Sequence, residues 1–558
     1  YFRKLILEND KMSTKFTEYK GLDLPTVASE VLEFWKEKNI FEQSVTSREG
    51  NQPYVFFEGP PSANGLPGIH HVMARAIKDI FCRYKTQKGF QVKRKAGWDT
   101  HGLPVELGTE KELGITKEDI GKTISIEEYN EACKRTVMRY TDVWNDLTEK
   151  MGYWVDMEDP YVTYKPKYME SVWWLLKQIY DKGLLYKGYT IQPYSPKAGT
   201  GLSSHEVNQP GAYRDVTDTT IVAQFKTLPE TLPSFLQGFG DVHFLAWTTT
   251  PWTLPSNTAL TVGPKIDYVL VKTFNQYTFE PINVVLAKNL VGKQFGKGFF
   301  ETGGDTMFEN ALYTNDYNKF QEMSNSEIKE ISLALDNPDK KQFYESFKKR
   351  TELLKDFSKK IPYKVLTEAK GADLVGIKYE QLLPYALPYQ NPENAFRVIS
   401  GDFVTTEDGT GIVHTAPTFG ADDAKVAKEA TPEVPPMLVL DENGTPVPLV
   451  DLQGKFTSHM GDFAGKYVKN EYYDAGTAPE KSVDVEIAIR LKEENKAFKV
   501  EKYVHSYPHS WRTDEPLLYY PLDSWFIKVT DVKDRMFDLN ETINWKPKST
   551  GEGRFGNW

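Results

Sequence analysis

The hydrophobic positions near the start of the chain change their spacing from element to element. Residues 27–38 repeat at the interval of one helical face and predict a helix. The apolar, β-rich run 54–57 predicts a buried strand entering a glycine- and proline-rich loop, and residues 73–84 share a second helical face, which Gly89 closes. Residues 90–96 then predict another strand. Strand, loop, helix and strand in this order are typical of the opening of a parallel α/β nucleotide-binding sheet.

The pattern of the chain changes again beyond this region. Residues 140–185 have helical spacing and many aromatic side chains, and they predict helices. Short β-like runs follow residue 194, among them 220–223 and 268–271, and they predict a β-rich domain inserted into the α/β fold. Residues 324–360 are charged and helix-like, and they predict a surface elaboration of that domain.

From about residue 503 the chain returns towards the α/β fold, and we expect the aromatic-rich run 519–526 to pack as core. We therefore predict four segments. In chain order they are an N-terminal extension and helix at 1–50, the first half of the nucleotide-binding domain at 51–193, the inserted β-rich domain with its hinges at 194–505, and a truncated return at 506–558.

Length and composition bound the class of protein. A chain of 558 residues is too long for one ordinary core, so two to four domains are expected. No run approaches the roughly 18 apolar residues of a membrane span, and residues 1–20 lack the apolar centre of a secretory signal. With Cys82 and Cys133 as the only cysteines, we expect a protein of the reducing cytoplasm that does not contact membranes. The net charge of −10 excludes neither tRNA nor other nucleic-acid partners, because local basic strips bind phosphates on acidic proteins.

Two strings follow the two predicted strands of the nucleotide-binding half. Residues 59–71 join the first strand to a helix, whose free N–H groups and dipole suit phosphate, with His70 and His71 beside it. The alternative is an ordinary loop with two exposed histidines. Residues 97–106 follow the next strand, where Asp99 can pair with an ammonium group or stand as a solvated turn residue.

Two further strings lie in the predicted β-rich domain. Residues 247–255 read W-T-T-T-P-W-T-L-P, and residues 409–417 read G-T-G-I-V-H-T-A-P, followed by Asp422 and Asp423. Threonine hydroxyls, an imidazole and carboxylates can line a small polar pocket that positions water on an ester. The alternatives are a strand edge enriched in threonine and a packed structural histidine at position 414.

Together these strings resemble the isoleucyl branch of the class I aminoacyl-tRNA synthetases, over residues from about 19 to 558. The leucyl and valyl relatives typically carry an arginine and an acidic residue within the threonine string, where this chain has T-P-W-T. The resemblance implies an α/β fold, in which the first half of a Rossmann-like catalytic domain contains a large inserted β-rich editing domain. It also implies a monomer that activates L-isoleucine with ATP and Mg²⁺, charges tRNA(Ile) and hydrolyses mischarged valyl-tRNA(Ile).

The resemblance assigns the nucleotide-end residues as follows. Pro60 would contact the isoleucine side chain and Asp99 its α-ammonium group, and Gly68, His70 and His71 would bind ATP, with both histidines catalytic. The sequence departs here from the family's H-I-G-H signature. Gly68 stands at the first histidine and His70 at the glycine, and only the last histidine, His71, is kept.

The resemblance also assigns an editing pocket without a metal. His414 would set the size limit for the amino-acid side chain, and Asp423 would bind the aminoacyl ammonium. The terminal adenosine would be held by four threonines, Thr248, Thr249, Thr250 and Thr253. Some relatives bind zinc through cysteine pairs at the two hinges of the insertion. Here residues 195–199 and 510–513 contain no cysteine, and we expect no structural zinc.

Two features qualify this interpretation. Residues 11–15, K-M-S-T-K, look like the ATP-binding KMSKS loop, but that loop belongs to the second nucleotide-binding half, so we interpret the match as coincidence. The true loop and the anticodon-binding domain are not found in the sequence, which suggests a fragment. The alternatives are a free-standing editing hydrolase or synthetase-like factor, and a non-catalytic tRNA-binding module.

Overall fold

The computed structural model describes residues 21–278, 280–302 and 360–557. The K-M-S-T-K match and almost all of the predicted elaboration at 324–360 lie outside the described residues. The chain forms two compact units, one of residues Tyr1–Tyr186 with Ile527–Trp558 and one of Lys187–Phe526. Among the helices of the described ranges, none combines the length and the apolar character needed to cross a bilayer.

The helices and strands have the following bounds. The α-helices are α1 Leu24–Glu37, α2 Ile40–Thr46, α3 Ile69–Gln87, α4 Leu103–Leu113, α5 Ile126–Val137, α6 Thr141–Lys150, α7 Pro166–Asp181, α8 Ser204–Val207, α9 Val291–Gln294, α10 Ala421–Glu429, α11 Val483–Glu493 and α12 Lys533–Glu541. The strands are β1 Pro53–Phe57, β2 Gln91–Trp98, β3 Asp156–Val162, β4 Leu185–Ser195, β5 Thr200–Gly201, β6 Tyr213–Lys226, β7 Val242–Thr248, β8 Ala259–Val262, β9 Asp267–Phe274, β10 Pro281–Ala287, β11 Phe299–Glu301, β12 Ile361–Lys370, β13 Arg397–Ser400, β14 Ile412–Thr415, β15 Leu438–Leu440, β16 Pro446–Pro448, β17 Ala497–Pro508 and β18 Leu518–Ile527.

In the first unit, β1, β2 and β3 form a parallel sheet in that order, with Tyr54 opposite Val92. Helix α3 connects β1 to β2, so the predicted succession of strand, loop, helix and strand is confirmed. The helix ends where Gly89 adopts a φ of 91°, and the Phe90 N–H donates to the Lys85 carbonyl. This left-handed turn is the common way for a helix to stop at glycine.

Strand β1 forms as predicted, but it is not buried. Val55 and Phe57 are 60% and 62% exposed, because β1 is an edge strand and the described residues leave that face uncovered. The prediction of helices throughout 140–185 is also wrong in part. Residues Asp156–Val162 form β3, whose polar sequence lacks a strand pattern and which is extended because it pairs with β2.

The second unit contains a ten-stranded mixed sheet within the described residues. The order of eight strands is β11, β12, β9, β10, β7, β14, β8 and β13, while β6 pairs with both β7 and β17. The runs predicted as strands at 220–223 and 268–271 are confirmed as parts of β6 and β9. The return strand β18 packs in the core at Tyr520, but Trp525 is 63% exposed, so core packing of 519–526 is only half correct.

Strand β7 is central to this sheet. One edge pairs with β6 along most of its length, and the other pairs first with β10 and then, at Trp247, with β14. Its alternate residues enter different hydrophobic clusters, with Phe244 in one and Leu245 in the other. The carboxyl end of β7 is therefore fixed from both sides, and this is where the threonine string begins.

Candidate functional sites

The threonine string turns from a strand into a buried helical turn. Strand β7 ends at Thr248, and Pro251–Ser256 form a 3₁₀ helix whose residues are all buried. The turn starts with the Thr253 N–H donating to the Thr250 carbonyl at 3.0 Å. Pro251 suits the first position because its missing N–H would have had no partner within the turn.

His414 lies on β14 and meets this turn. Its Nε2 is 3.0 Å from the Thr253 hydroxyl, and its Nδ1 is 2.8 Å from Nδ2 of Asn257. The amide nitrogen of Asn257 also donates to the Ala259 carbonyl at 2.8 Å, so it can only be a donor to Nδ1. His414 therefore carries its proton on Nε2 and donates it to Thr253, whose own hydroxyl donates to the Thr250 carbonyl at 2.8 Å.

The imidazole of His414 is neutral. Burial in the core lowers the pKa of His414 to about 3, because the charged ring would lose its hydration. With one nitrogen donating and the other accepting, neither is available to take a proton from water. In this geometry the ring is held in place and cannot act as a general base.

The other threonines extend the polar surface. The hydroxyls of Thr248 and Thr250 lie 3.3 Å apart, those of Thr250 and Thr253 lie 3.5 Å apart, and Thr248 also accepts the Thr250 N–H at 3.1 Å. Thr249 is half-buried. Three of the four threonines therefore form a continuous set of hydroxyls that ends at His414.

Asp423 lies in the first turn of α10 and is tied to the strand that carries His414. Its Oδ2 accepts the N–H of Ala416, two residues after His414, at 2.8 Å. A Cβ at Gly420 would lie 2.7 Å from the Asp423 carboxyl carbon, so only glycine leaves this side chain its place. Burial raises the pKa of Asp423 to about 6, and the carboxyl group is mainly ionised at neutral pH.

At the nucleotide end, His71 caps its own helix. Gly68 is extended, and its N–H donates to Nδ1 of His71 at 2.9 Å, so the ring carries its proton on Nε2. Burial, followed by the charges of His70 and Arg75, lowers the pKa of His71. The rings of His70 and His71 lie 3.8 Å apart between centroids.

Trp144 on α6 connects the parts of this end. Its ring contacts His71 at 4.7 Å and Trp98 at 6.4 Å between centroids, and its Nε1–H donates to the Gly65 carbonyl at 2.9 Å. The loop after β1, the start of α3 and the end of β2 thus share one buried side chain. The sequence pattern predicted only an aromatic-rich helical region here and did not single out Trp144.

Pro60 and Asp99 lie in two adjacent loops. The Asp99 N–H donates to the carbonyl of Pro61 at 3.0 Å, which joins the loop after β1 to the end of β2. Pro60 is half-buried and the Asp99 side chain is exposed. The carboxyl ends of parallel strands are where α/β sheets bind ligands, and both residues lie at that edge.

The hinge segments hold hydroxyls where some relatives hold zinc. Oγ of Ser195 accepts the Ala198 N–H at 3.2 Å, and Oγ of Ser510 accepts the Thr513 N–H at 3.2 Å. Hydroxyls already engaged with backbone groups are poor zinc ligands. In the described ranges, no cluster of three histidine, cysteine or acidic side chains could hold a metal ion.

Asn257 is a site residue that the sequence interpretation missed. It accepts the Tyr379 hydroxyl at 2.7 Å and orients His414, as described above. The available signal was its position four residues after Thr253, two residues beyond the end of the threonine string.

Comparison with known proteins gives a consistent result. The sequence profile of the tRNA synthetases class I (I, L, M and V) matches residues 30–558. The isoleucine–tRNA ligases of Bacteroides fragilis and Cytophaga hutchinsonii are 56% and 57% identical to this chain, each over 98% of it and 45% of the relative. That of Clostridium tetani is 41% identical, over 94% of the chain and 40% of the relative. The chain thus spans about half the length of the curated relatives it matches, and the family resemblance is confirmed.

Proposed function

This chain belongs to the class I tRNA synthetases and has a mixed α/β fold, and we propose that it is part of an isoleucine–tRNA ligase. In that enzyme it takes part in activating isoleucine and hydrolyses mischarged tRNA. The first unit takes part in forming isoleucyl-adenylate from L-isoleucine and the Mg²⁺ complex of ATP. The second unit hydrolyses valyl-tRNA(Ile). The observation that carries the hydrolytic part is the neutral His414, held between Thr253 and Asn257, two residues before Ala416, whose N–H donates to Asp423.

A second pocket is required because isoleucine and valine differ by one methylene. One pocket can use that difference for only about 1–3 kcal/mol, and the isoleucyl enzymes are the standard example of this limit. The second pocket must therefore exclude the isoleucyl ester by size and admit the smaller valyl ester. A ring held by two hydrogen bonds, as His414 is, cannot yield to an additional methylene without breaking a contact.

In this proposal the four threonines bind the terminal adenosine and place water on the ester. Thr248, Thr249 and Thr250 provide hydroxyls that both donate and accept, while the Thr253 hydroxyl, which already donates to the Thr250 carbonyl, can accept. Asp423 binds the α-ammonium group of the valyl ester, for which its ionised carboxylate is suited at neutral pH. Since both nitrogens of His414 are engaged, catalysis comes from positioning rather than from a histidine base.

The test is hydrolysis of valyl-tRNA(Ile) by the 558-residue chain, with isoleucyl-tRNA(Ile) as the substrate control. We expect loss of the valyl ester alone, and loss of that activity in Asp423→Ala. Asp422→Ala is the matched control, because Asp422 is exposed on the first turn of the same helix. Equal hydrolysis of both esters would reject the size limit at His414. A folded chain without hydrolysis would reject the function.

The activation site rests on the loops that Trp144 connects. Pro60 would contact the isoleucine side chain and Asp99 its ammonium group, while Gly68, His70 and His71 face the phosphates at the start of α3. His71→Ala, made in the protein that contains this chain, should lower isoleucine-dependent pyrophosphate exchange because it removes both the cap of α3 and the imidazole. Wild-type exchange in this variant would contradict the assignment.

A further inference from the structure

Two buried charged side chains, Asp484 and Lys469, lie next to the threonine string. They belong neither to the sequence motifs nor to the proposed pocket. Asp484, on the first turn of α11, is 4% exposed, and Lys469 is 6% exposed. Side chains of these two types are almost never buried unless they have partners. Their contacts therefore indicate what the group does.

Asp484 holds the beginning of the 3₁₀ helix. Its Oδ1 accepts the N–H of Trp252 at 2.9 Å. Pro251 has no N–H, so Trp252 presents the first free backbone donor of the turn, and the preceding Thr250 provides no side-chain cap. Asp484 therefore accepts a first-turn N–H, which is the usual role of the N-cap residue, but it does so from an element distant in the sequence.

Lys469 holds Asp484 in turn. Its Nζ lies 3.8 Å from Oδ2 of Asp484 and 3.0 Å from Oδ2 of Asp218, and it sits 4.7 Å from the ring centre of Tyr507. Asp218 also contacts Nε2 of His505 at 3.1 Å. The group thus joins α11, β6 and β17 to the threonine turn.

Both members of the pair are charged at neutral pH. Burial raises the pKa of Asp484 to about 6, against the opposing effect of Lys469. Burial would lower the pKa of Lys469, but Tyr507, Asp484 and Asp218 outweigh it, and the pKa lies above its usual value. A charged carboxylate makes a stronger hydrogen bond to a backbone N–H than a neutral group does.

The turn held in this way carries a pocket residue. Trp252 immediately precedes Thr253, whose hydroxyl accepts the His414 proton at 3.0 Å. A shift of the turn by a fraction of an ångström would lengthen that hydrogen bond and move the hydroxyl set of Thr248 and Thr250. Misplacement by about 1 Å can cost a catalytic site about 100-fold in rate.

We propose that Asp484, held by Lys469, is a positioning residue that fixes the threonine turn against His414. The proposal rests on the proposed hydrolysis of valyl-tRNA(Ile) at this pocket. Asp484 is only 4% exposed and reaches the turn through the Trp252 N–H, so its removal should lower the rate of the chemical step more than it weakens substrate binding.

The experiment compares Asp484→Leu, which removes the acceptor, with Asp484→Asn, which keeps an oxygen acceptor of the same shape. Glu493→Leu is the control, since Glu493 is exposed at the other end of the same helix. Hydrolysis of valyl-tRNA(Ile) by the 558-residue chain gives kcat and KM separately. Hydrogen exchange of the peptide spanning residues 247–256 reports directly on the Trp252 amide.

We expect kcat to fall about 10- to 100-fold in Asp484→Leu with little change in KM, together with faster exchange of the 247–256 peptide. Asp484→Asn should retain slow exchange and most of kcat, and Glu493→Leu should match the unchanged chain. Unchanged kcat in Asp484→Leu, or faster exchange without loss of kcat, would overturn the proposal.

A replacement variant and the hydrogen-exchange data keep the proposal testable if Asp484→Leu does not fold or the unchanged chain is inactive. If Asp484→Leu does not fold, Lys469→Met replaces it, and the same loss of kcat and of exchange protection is expected because Lys469 no longer holds the Asp484 side chain in place against the Trp252 N–H. An unchanged Lys469→Met would then overturn the proposal. If the unchanged chain does not hydrolyse valyl-tRNA(Ile), the proposed function fails and this role fails with it, while the exchange data separately show whether Asp484 holds the turn.

Discussion

His414 shows how position and protonation state are set by the same contacts. Asn257 can only donate to Nδ1, which leaves the proton on Nε2 and directs it at Thr253. Burial keeps the ring neutral, so the arrangement has no competing protonated form near neutral pH. A histidine next to a threonine string would suggest a proton acceptor. Both ring nitrogens of His414 are engaged in hydrogen bonds, however, so its proposed role is to limit the size of the bound side chain.

Replacing Thr253 with valine tests this arrangement. Thr253→Val leaves the Nε2–H of His414 buried without an acceptor, which should lower the free energy of unfolding by about 1–3 kcal/mol. The hydrolysis of valyl-tRNA(Ile) should slow as the ring loses its fixed position. Urea denaturation at pH 7 measures the first effect.

Thr258→Val is the matched control. The Thr258 hydroxyl is fully buried and has no hydrogen-bond partner in the described part of the chain. Its replacement by a methyl group should therefore be neutral or stabilising. Equal destabilisation by the two substitutions would contradict the role of the contact between Thr253 and His414.

The pH dependence of editing should follow Asp423. With a pKa of about 6, its carboxyl group is ionised above that pH and neutral below it, and only the ionised form binds an ammonium group. We expect kcat/KM for valyl-tRNA(Ile) to fall about tenfold per pH unit below pH 6. The pKa of His414 is about 3, so the ring adds no second transition between pH 4 and 8. Asp423→Asn should be weakly active and lose the part of the acidic limb that Asp423 causes, while a weaker limb from Asp484, whose pKa is also about 6, remains. An unaltered limb in that variant would exclude Asp423 as its source.

At the scale of elements, close approach between strands positions the loops of the proposed activation site. Gly97 on β2 lies opposite Tyr161 on β3, and a Cβ at Gly97 would lie 2.3 Å from the Tyr161 ring. The Tyr161 hydroxyl donates to the Glu58 carbonyl, so the ring cannot move away freely. The glycine that begins the predicted ligand-binding string is thus required by packing, two residues before Asp99.

Gly97→Ala should lower the free energy of unfolding of the first unit by about 1–3 kcal/mol, through overpacking against Tyr161. Gly108→Ala is the control. Gly108 lies inside α4 with open space around its Cβ position, and alanine there should stabilise the helix by up to about 1 kcal/mol. Thermal unfolding of both variants measures the difference, and equal midpoints would exclude the steric explanation.

At the scale of the whole molecule, the chain passes between its two units through strands β4 and β18, near the hinge segments that bear serine and threonine. Ser195 and Ser510 bond backbone amides, and Lys197 pairs with Glu515 at 3.3 Å. These contacts stabilise the two hinge segments, and we expect no bound metal there. The purified protein should contain no stoichiometric zinc, and treatment with a chelator should leave its unfolding temperature unchanged. One zinc ion per chain by elemental analysis would contradict this.

The sequence predicted elements best where local pattern and packing agree. Helix α3, strand β2 and the runs within β6 and β9 formed where periodicity placed them. Strand β3 was missed because its extended form depends on pairing with β2 rather than on its own polar sequence. The exposure of Val55 and Phe57 was missed because an apolar run does not indicate whether another element covers it.

Sequence by itself determined the family and supplied the candidate residues, because strings such as 247–255 are specific to the family. It could not show that His414 is held by Asn257 as well as Thr253, or that Asp423 bonds Ala416. Nor could it connect Asp484 to Trp252, 232 positions away in the chain. Those contacts join elements distant in sequence, and the protonation states of His414 and Asp423 follow from their burial. Only the tertiary structure decides them, since both proximity and loss of solvent arise from packing.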